Sequence, residues 1–228
     1  IIGVGLMDGD QRMGNILREQ DFLYSCHSVS NTASSINVIR SFVDYVHIPS
    51  CSKNAAIHQA EMKKLFAAKI ISITGTEKCY CRDGSGHLNF DNEFVAADVA
   101  AWRSFNCDEG KLADDAIDFG ILQPKTVMGL ICTILEYHRV SGNSQALPTI
   151  LSLDNLPLNG NCAKSVVLSF TKRVSPSLYK FLSAAVEDSK LCFPNSMVDR
   201  ITPVTTQANI ARIEEEFGII DQWPVGNN

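Results

Sequence analysis

Short apolar runs alternate with longer segments of helical periodicity along most of the chain. The apolar runs at 1–6, 69–75 and 148–153 predict strands that a sheet buries on both faces. Between these runs, apolar residues recur at spacings of three and four, which is typical of helices with one buried face. Helices are therefore predicted over 8–21, 52–68, 93–105, 126–139, 162–174, 177–187 and 205–217.

Two further segments, 22–29 and 36–48, are rich in β-branched and aromatic residues and predict two strands joined by a polar turn at 30–35. Residues 82–91 predict a loop, and the acidic stretch 106–118 predicts an exposed excursion. Strands that alternate with amphipathic helices are typical of right-handed βαβ units. We therefore predict an α/β fold with a mostly parallel sheet flanked by helices.

Composition narrows the class of protein. The 228 residues are 45% hydrophobic and 20% charged, which is enough apolar material for one sizeable core. A net charge of −5 with scattered Lys and Arg argues against a nucleic-acid surface. No apolar run approaches the roughly 20 residues of a membrane helix, and the first residues lack the basic segment of a signal peptide. We expect a soluble, cytoplasmic protein with no nucleic-acid or membrane partner.

Eight cysteines are spread through the chain rather than concentrated as in small secreted proteins. Several, such as Cys132 and Cys192, lie in apolar runs, where a free thiol behaves as a small hydrophobic side chain. This distribution favours a reduced, intracellular protein. Cys79 and Cys81 form the one close pair in the sequence, and no second pair follows at zinc-like spacing, so we predict no metal site.

Ligands of α/β sheets bind beyond the carboxyl ends of the strands. Asp8 and Asp10 follow the first predicted strand, and either could accept the ribose hydroxyls of a nucleotide. The spacing alone favours the simpler role of a helix N-cap. Gly3 and Gly5 lie inside the strand, and Asp8 stands where the last glycine of a dinucleotide-binding loop belongs. We therefore reject a phosphate-binding loop at this position.

Two more strand ends carry polar residues. Thr76 and Glu77 follow the strand at 69–75, where Glu77 could pass a proton or could be an ordinary surface glutamate. Asp154 and Asn155 follow the strand at 148–153 and could simply form a turn. The carboxamide of Asn155 could equally stabilise an alkoxide as a neutral donor, whereas Asn159 is expected to begin the next helix.

The segment FPNSMVDRITP at 193–203 combines a chain break, an adjacent acid and base, and two prolines. It resembles the signature of the polyol-specific long-chain dehydrogenases, the family of mannitol 2-dehydrogenase, fructuronate reductase and tagaturonate reductase. In the same order, LSLDNLPLNG resembles the family's SCDNLPxNG segment and EEFGIIDQWPV its FGIxDxWPV stretch. Gly3 to Leu6 with Asp10 and Arg12 resembles its second strand, and Thr76 with Glu77 resembles its TxTE turn.

This resemblance implies a Rossmann-like NAD-binding domain and a second, mainly helical domain that closes the active site. It implies hydride transfer between NAD and a sugar alcohol such as mannitol, giving a ketose such as fructose, without a metal. A lysine of the second domain would be the general base. Carried over position by position, the resemblance implies the catalytic residues Asn155, Asp199 and Glu77, and the cofactor-binding residues Asp10, Thr76 and Asp154.

Parts of the family pattern have no counterpart within the 228 residues. These are the glycine loop of the first strand and the KxxxxNxxH motif that carries the lysine. A third departure is Cys79, which stands where the family turn has glycine. We therefore expect residues 1–228 to be a partial NAD-binding domain without the first βα unit or the helical domain, inactive alone. The alternative is a non-catalytic binding or interaction module that keeps the fold. The oligomeric state stays open.

Overall fold

A computed structural model describes residues 1–29, 33–105, 119, 122–142, 147–198 and 205–220 of the protein. Its strands are β1 (Ile2–Gly5), β2 (Tyr24–Val29), β3 (Ser34–Ile39), β4 (Asp44–His47), β5 (Ile70–Ile73) and β6 (Thr149–Ser152). Its helices are α1 (Asp10–Glu19), α2 (Ile48–Cys51), α3 (Ala55–Phe66), α4 (Glu93–Ser104), α5 (Val127–Val140), α6 (Asn159–Val174), α7 (Pro176–Glu187) and α8 (Gln207–Phe217), with a 3₁₀ helix at Glu77–Tyr80. The excursion predicted at 106–118, and part of the turn predicted at 30–35, lie outside the described residues.

Four of the strands form parallel pairs. β1 runs parallel to β4, with Ile2 opposite Asp44, and β5 runs parallel to β6, with Ile70 opposite Thr149. β2 and β3 form an antiparallel hairpin. Helices connect the parallel strands, as expected for βαβ units. The predicted α/β fold with parallel strands is confirmed.

The single strand predicted over 36–48 is wrong. β3 ends at Ile39, β4 begins at Asp44, and α2 takes over at Ile48. The reason is pairing: β3 hydrogen-bonds antiparallel to β2, whereas β4 hydrogen-bonds parallel to β1, so one continuous strand could not serve both partners. The polar pair Arg40-Ser41 lies in the break between the two strands, and the different strand partners explain why the segment divides there.

The centre of the core is α5, which is buried on nearly all sides. Its residues Met128, Ile131, Cys132 and Leu135 are fully buried, and the helix contacts α3, α6 and α7. Asp98 of α4 fixes its start by accepting the backbone N–H groups of Lys125 and Thr126 at 2.7 and 3.0 Å. Because α6 is the next element after β6 and packs against α5, this core also holds the turn between β6 and α6 in place.

The glycines of β1 make room for an aromatic ring. A Cβ on Gly3 would lie 2.5 Å from Cδ2 of Tyr45, and one on Gly14 of α1 would lie 2.5 Å from Cδ1 of the same ring. Burial, together with the nearby charge of Asp10, raises the pKa of Tyr45 to about 12. These close approaches give the glycines a packing role and place α1 directly over β1 and β4.

Candidate cofactor and active site

The turn after β1 is held together by the carboxylate of Asp10. Asp10 is the first residue of α1, and its Oδ2 accepts the backbone N–H groups of Leu6 and Met7, both at 2.9 Å. The N-cap position is Gly9, so Asp10 ties the turn back to the strand instead of capping the helix. Asp8 is exposed. The carboxylate of Asp10 is thereby fixed at the carboxyl end of β1.

A buried histidine joins this turn to the end of β4. Nε2 of His47 lies 2.9 Å from the carbonyl oxygen of Met7, and Nδ1 lies 2.7 Å from Oγ of Ser50. With Nε2 donating to the carbonyl, Nδ1 accepts the hydroxyl proton of the serine. The neighbouring turns after β1 and β4 therefore form one hydrogen-bonded unit.

The turn after β5 carries Thr76 and Glu77 into solvent. Thr76 precedes the 3₁₀ helix that begins at Glu77, and both side chains are exposed. Glu77 lines an open cavity of about 530 Å³ that is also lined by Arg82 and, from the turn after β6, by Leu156. Glu77 therefore stands at the rim of a cleft at the carboxyl ends of β5 and β6.

Tyr80 connects the turn after β5 to the turn after β6. It is fully buried, and its hydroxyl lies 2.5 Å from Oγ of Ser152 and donates to Oδ2 of Asp154 at 2.6 Å. Burial raises the pKa of Asp154, and the hydrogen bond from Tyr80 partly opposes this rise. The side chain of Asp154 thus points inward, and the residue is only 5% exposed.

Cys79, which departs from the family's glycine at this turn, lies against the end of β5. Its Sγ would be 2.6 Å from a Cβ placed on Gly75. Burial, with the charge of Asp154 as the next cause, raises the pKa of this thiol to about 12. The thiol is therefore protonated at neutral pH and fills space beside the turn.

Asn155 is exposed at the tip of the turn after β6. In the described part of the chain, its side chain makes no hydrogen bond, so its carboxamide is available to a ligand at that edge. The backbone around it is fixed by Asn159, the first residue of α6. That side chain is 1% exposed and donates to the carbonyl oxygens of Ser152 and Asp154 at 3.3 and 3.0 Å.

The first part of the family signature, 193–198, packs on the start of α6. The backbone N–H of Ser196 donates to Oδ1 of Asn159 at 2.9 Å, and its hydroxyl donates to the carbonyl oxygen of Ser152 at 2.5 Å. The carbonyl oxygen of Pro194 comes so close that a Cβ on Gly160 would lie 2.3 Å from it. Asp199 and the rest of the signature lie outside the described residues.

The fold brings most of the predicted site residues to one edge. Because Ile73 pairs with Ser152, the turns with Thr76–Glu77 and Asp154–Asn155 are neighbours, whereas Asp10 belongs to the other parallel pair. Tyr80 and Asn159 were missed as parts of the site. The Asn-Gly step at the start of α6 was the available signal for Asn159, while nothing in the sequence marked Tyr80 as a buried hydrogen-bond donor.

Among the described residues, no cluster of three or more His, Cys, Asp or Glu side chains could hold a metal ion. No helix within the same ranges has both the length and the apolar character needed to cross a membrane.

The paired parallel strands, the helices between them and the polar turns at the strand ends define an α/β protein of the Rossmann type. A family model described as the mannitol dehydrogenase Rossmann domain matches residues 1–225. The chain therefore belongs to the mannitol dehydrogenase family.

Curated relatives of this chain are longer proteins. A mannitol 2-dehydrogenase of Phaeosphaeria nodorum is 30% identical over 226 residues, a match that covers 99% of this chain and 34% of the relative. YdfI of Escherichia coli, an uncharacterized oxidoreductase, is 30% identical over 238 residues, covering 99% of this chain and 42% of the relative. The chain thus spans about a third to two fifths of the length of these relatives.

Solved structures show the same likeness. Pseudomonas fluorescens mannitol 2-dehydrogenase in ternary complex with NAD and D-mannitol superposes with a TM-score of 0.76 at 30% identity. That match covers 98% of this chain and 40% of the other. D-sorbitol dehydrogenase in a substrate-free form gives a TM-score of 0.75 at 27% identity, covering 98% of this chain and 41% of the other.

Proposed function

We propose that residues 1–228 are a partial NAD-binding domain of a polyol dehydrogenase, an oxidoreductase that interconverts a sugar alcohol such as mannitol and a ketose such as fructose. Family membership and the likeness to a mannitol 2-dehydrogenase bound to NAD and D-mannitol support this proposal. The observation that carries it is the adjacency of the turns with Glu77 and Asn155 at the carboxyl ends of β5 and β6. Ligands of Rossmann-type sheets bind at this edge.

The turn after β1 fits the adenosine ribose of NAD. Two backbone N–H groups hold Oδ2 of Asp10, which fixes the carboxylate without using Oδ1 in any hydrogen bond of the described residues. A fixed carboxylate can accept the two ribose hydroxyls and repels the 2′-phosphate of NADP. When bound, NAD would supply the acceptor for the hydride. Thr76 is proposed as a second cofactor contact, and Asp154 would support the cofactor through the shape of its turn.

The catalytic roles follow from exposure and donor type. The carboxamide of Asn155 would donate to the developing alkoxide, since it is exposed and has no described partner. Glu77, at the rim of the cleft, would exchange a proton with solvent. Asp199 is proposed as a third active-site residue from the family signature, and the lysine base would come from outside these residues. The seven free cysteines of the described part support a reducing, cytoplasmic location.

Titration of the chain with NADH and NADPH, followed by cofactor fluorescence, tests this proposal. NADH should bind more tightly than NADPH. Asp10→Asn keeps an oxygen that can accept the two N–H groups but removes the charge, so the preference for NADH should fall by about tenfold. Glu19→Gln also replaces a carboxylate by a carboxamide, but at the far end of α1, and should leave the preference for NADH unchanged.

Two results would point elsewhere. If neither nucleotide binds, the chain is better explained as a binding or interaction module that keeps the fold without the cofactor. If Asp8→Asn abolishes the preference while Asp10→Asn does not, the ribose contact belongs to Asp8. We also expect no oxidation of mannitol and no reduction of fructose by the 228 residues alone, because the proposed base is not among them.

A further inference from the structure

Asn159 uses every polar atom of its carboxamide in a fully buried position. The two N–H groups of its Nδ2 are shared among four oxygens at 2.9 to 3.3 Å, which are the carbonyl oxygens of Ser152 and Asp154 and the carbonyl and hydroxyl oxygens of Ser196. Its Oδ1 accepts the backbone N–H of Ser196 at 2.9 Å and that of Gly160 at 2.8 Å. One side chain therefore joins the end of β6, the turn beyond it and the segment at 193–198.

The partners of Asn159 bracket Asn155. The carbonyl oxygen of Ser152 lies three positions before Asn155 in sequence, and that of Asp154 lies one position before it. Asn155 itself is exposed, and no hydrogen bond among the described residues orients its side chain. The direction of its carboxamide is consequently set by the backbone that Asn159 holds.

Ser196 completes the same arrangement from the other side. Its hydroxyl donates to the carbonyl oxygen of Ser152 at 2.5 Å and accepts from Nδ2 of Asn159 at 2.9 Å. Asn195, the preceding residue, makes a separate link by accepting the backbone N–H of Asn161 at 3.2 Å. Both residues therefore connect the segment at 193–198 to the start of α6. Of the two, only Ser196 also contacts the end of β6.

We propose that Asn159, acting with Ser196, is the positioning residue that aims the carboxamide of Asn155 at the reacting oxygen. This inference rests on the proposed function, because it takes Asn155 as the group that contacts the substrate. Positioning of this kind affects the chemical step more than cofactor binding, since a displacement of about 1 Å can lower a rate by about a hundredfold.

The test uses three variants of the full-length gene product and one control. Asn159→Asp keeps the acceptor oxygen but loses both N–H donors, and Ser196→Ala removes the hydroxyl. Ser196→Thr restores a hydroxyl, and Asn195→Ala removes the neighbouring link that does not reach β6. We expect kcat to fall by about tenfold or more in Asn159→Asp and Ser196→Ala, with the dissociation constant of NADH changed by less than about twofold.

Ser196→Thr should recover most of kcat, and Asn195→Ala should resemble the wild type. Hydrogen exchange supplies a readout without activity: in Asn159→Asp, protection should fall together in residues 154–156 and 193–196, with the rest of β6 and α6 unchanged. An unchanged kcat in a folded Asn159→Asp variant would overturn the proposal. So would a parallel loss of kcat, NADH affinity and thermal stability in Ser196→Ala, which buries no new charge, since that pattern indicates a purely structural role.

Failure of the proposed function gives a different pattern. In that case the wild-type protein itself would neither bind NADH nor turn over a polyol. The proposed effect of Asn159 on the reaction would then be refuted as well. The hydrogen-exchange arm would still decide whether Asn159 couples the two segments, because it requires no substrate.

Discussion

Replacing Tyr80 by Phe removes one hydroxyl from the contact between the turns after β5 and β6. The ring remains in its fully buried place, so the loss is confined to the hydrogen bonds with Ser152 and Asp154 at 2.5 and 2.6 Å. Asp154 is 5% exposed, and water would have little room to replace the lost donor. The variant therefore removes the buried, charge-assisted hydrogen bond to Asp154 together with the contact to Ser152.

The expected loss of stability follows from the type of bond. A hydrogen bond to a charged group contributes about 1.5–3 kcal/mol, and a buried acceptor left without its donor is penalised by a similar amount. We expect the free energy of unfolding at pH 7 to fall by about 2 kcal/mol. For a chain of this size, the melting temperature would fall by about 4–8 °C.

The effect should depend on pH through Asp154. Its pKa is raised by burial, and the Tyr80 hydrogen bond opposes that rise, so removing the bond raises the pKa further. A carboxyl with a raised pKa in the folded state binds protons more tightly than in the unfolded state. Stability then falls as the pH rises from the unfolded pKa through the folded one. The stability difference between the variant and the wild type should accordingly be larger at pH 7 than at pH about 4.

Urea unfolding followed by circular dichroism at both pH values measures these quantities. Tyr179→Phe is the matched control, because its hydroxyl makes no hydrogen bond among the described residues while its ring lies beside Lys172. The control should change stability by less than about 0.5 kcal/mol. A Tyr80→Phe variant as stable as the control, or a loss that grows toward low pH, would refute the assigned role of this hydroxyl.

Two further changes test contacts that frame the site. Gly160→Ala should destabilise the protein by about 2–3 kcal/mol in thermal unfolding, because its Cβ would lie 2.3 Å from the backbone oxygen of Pro194. Gly84→Ala is the control and should be neutral, since a Cβ there meets nothing within 4 Å. Equal effects of the two substitutions would contradict the packing argument. Asp98→Ala should lower the free energy of unfolding measured in urea by about 3 kcal/mol, since it leaves the N–H groups at the start of α5 without acceptors. Asp91→Ala, at an exposed position, should have little effect. A stable Asp98→Ala variant would mean that other groups satisfy those donors.

The element types were predictable because they depend on local periodicity. Short apolar runs became β1, β5 and β6, and the segment with apolar residues at spacings of three and four around Leu130 and Ile134 became α5. Gly218 ends α8 in the left-handed conformation that glycine readily adopts. These features need only neighbouring residues, so the chain encodes them without reference to its fold.

Pairing and burial depended on the tertiary structure. The segment at 36–48 divides between Ile39 and Asp44 because β3 and β4 have different partners. The inward direction of the Asp154 carboxylate depends on Tyr80, 74 positions earlier, and the hold on Asn159 comes partly from Ser196, 37 positions later. Contacts at such separations leave no periodic signal in the sequence.

The sequence by itself determined the α/β class, the family and the order of the polar turns, because motifs and hydrophobic spacing are local properties. The tertiary structure alone decided that the turns carrying Glu77 and Asn155 are neighbours, that the carboxylate of Asp10 is fixed by backbone N–H groups, and that the asparagine before Gly160 is a buried link. The physical reason is that parallel strands bring together turns that lie far apart along the chain. Hydrogen bonds to buried carbonyl and carboxylate groups then fix their geometry.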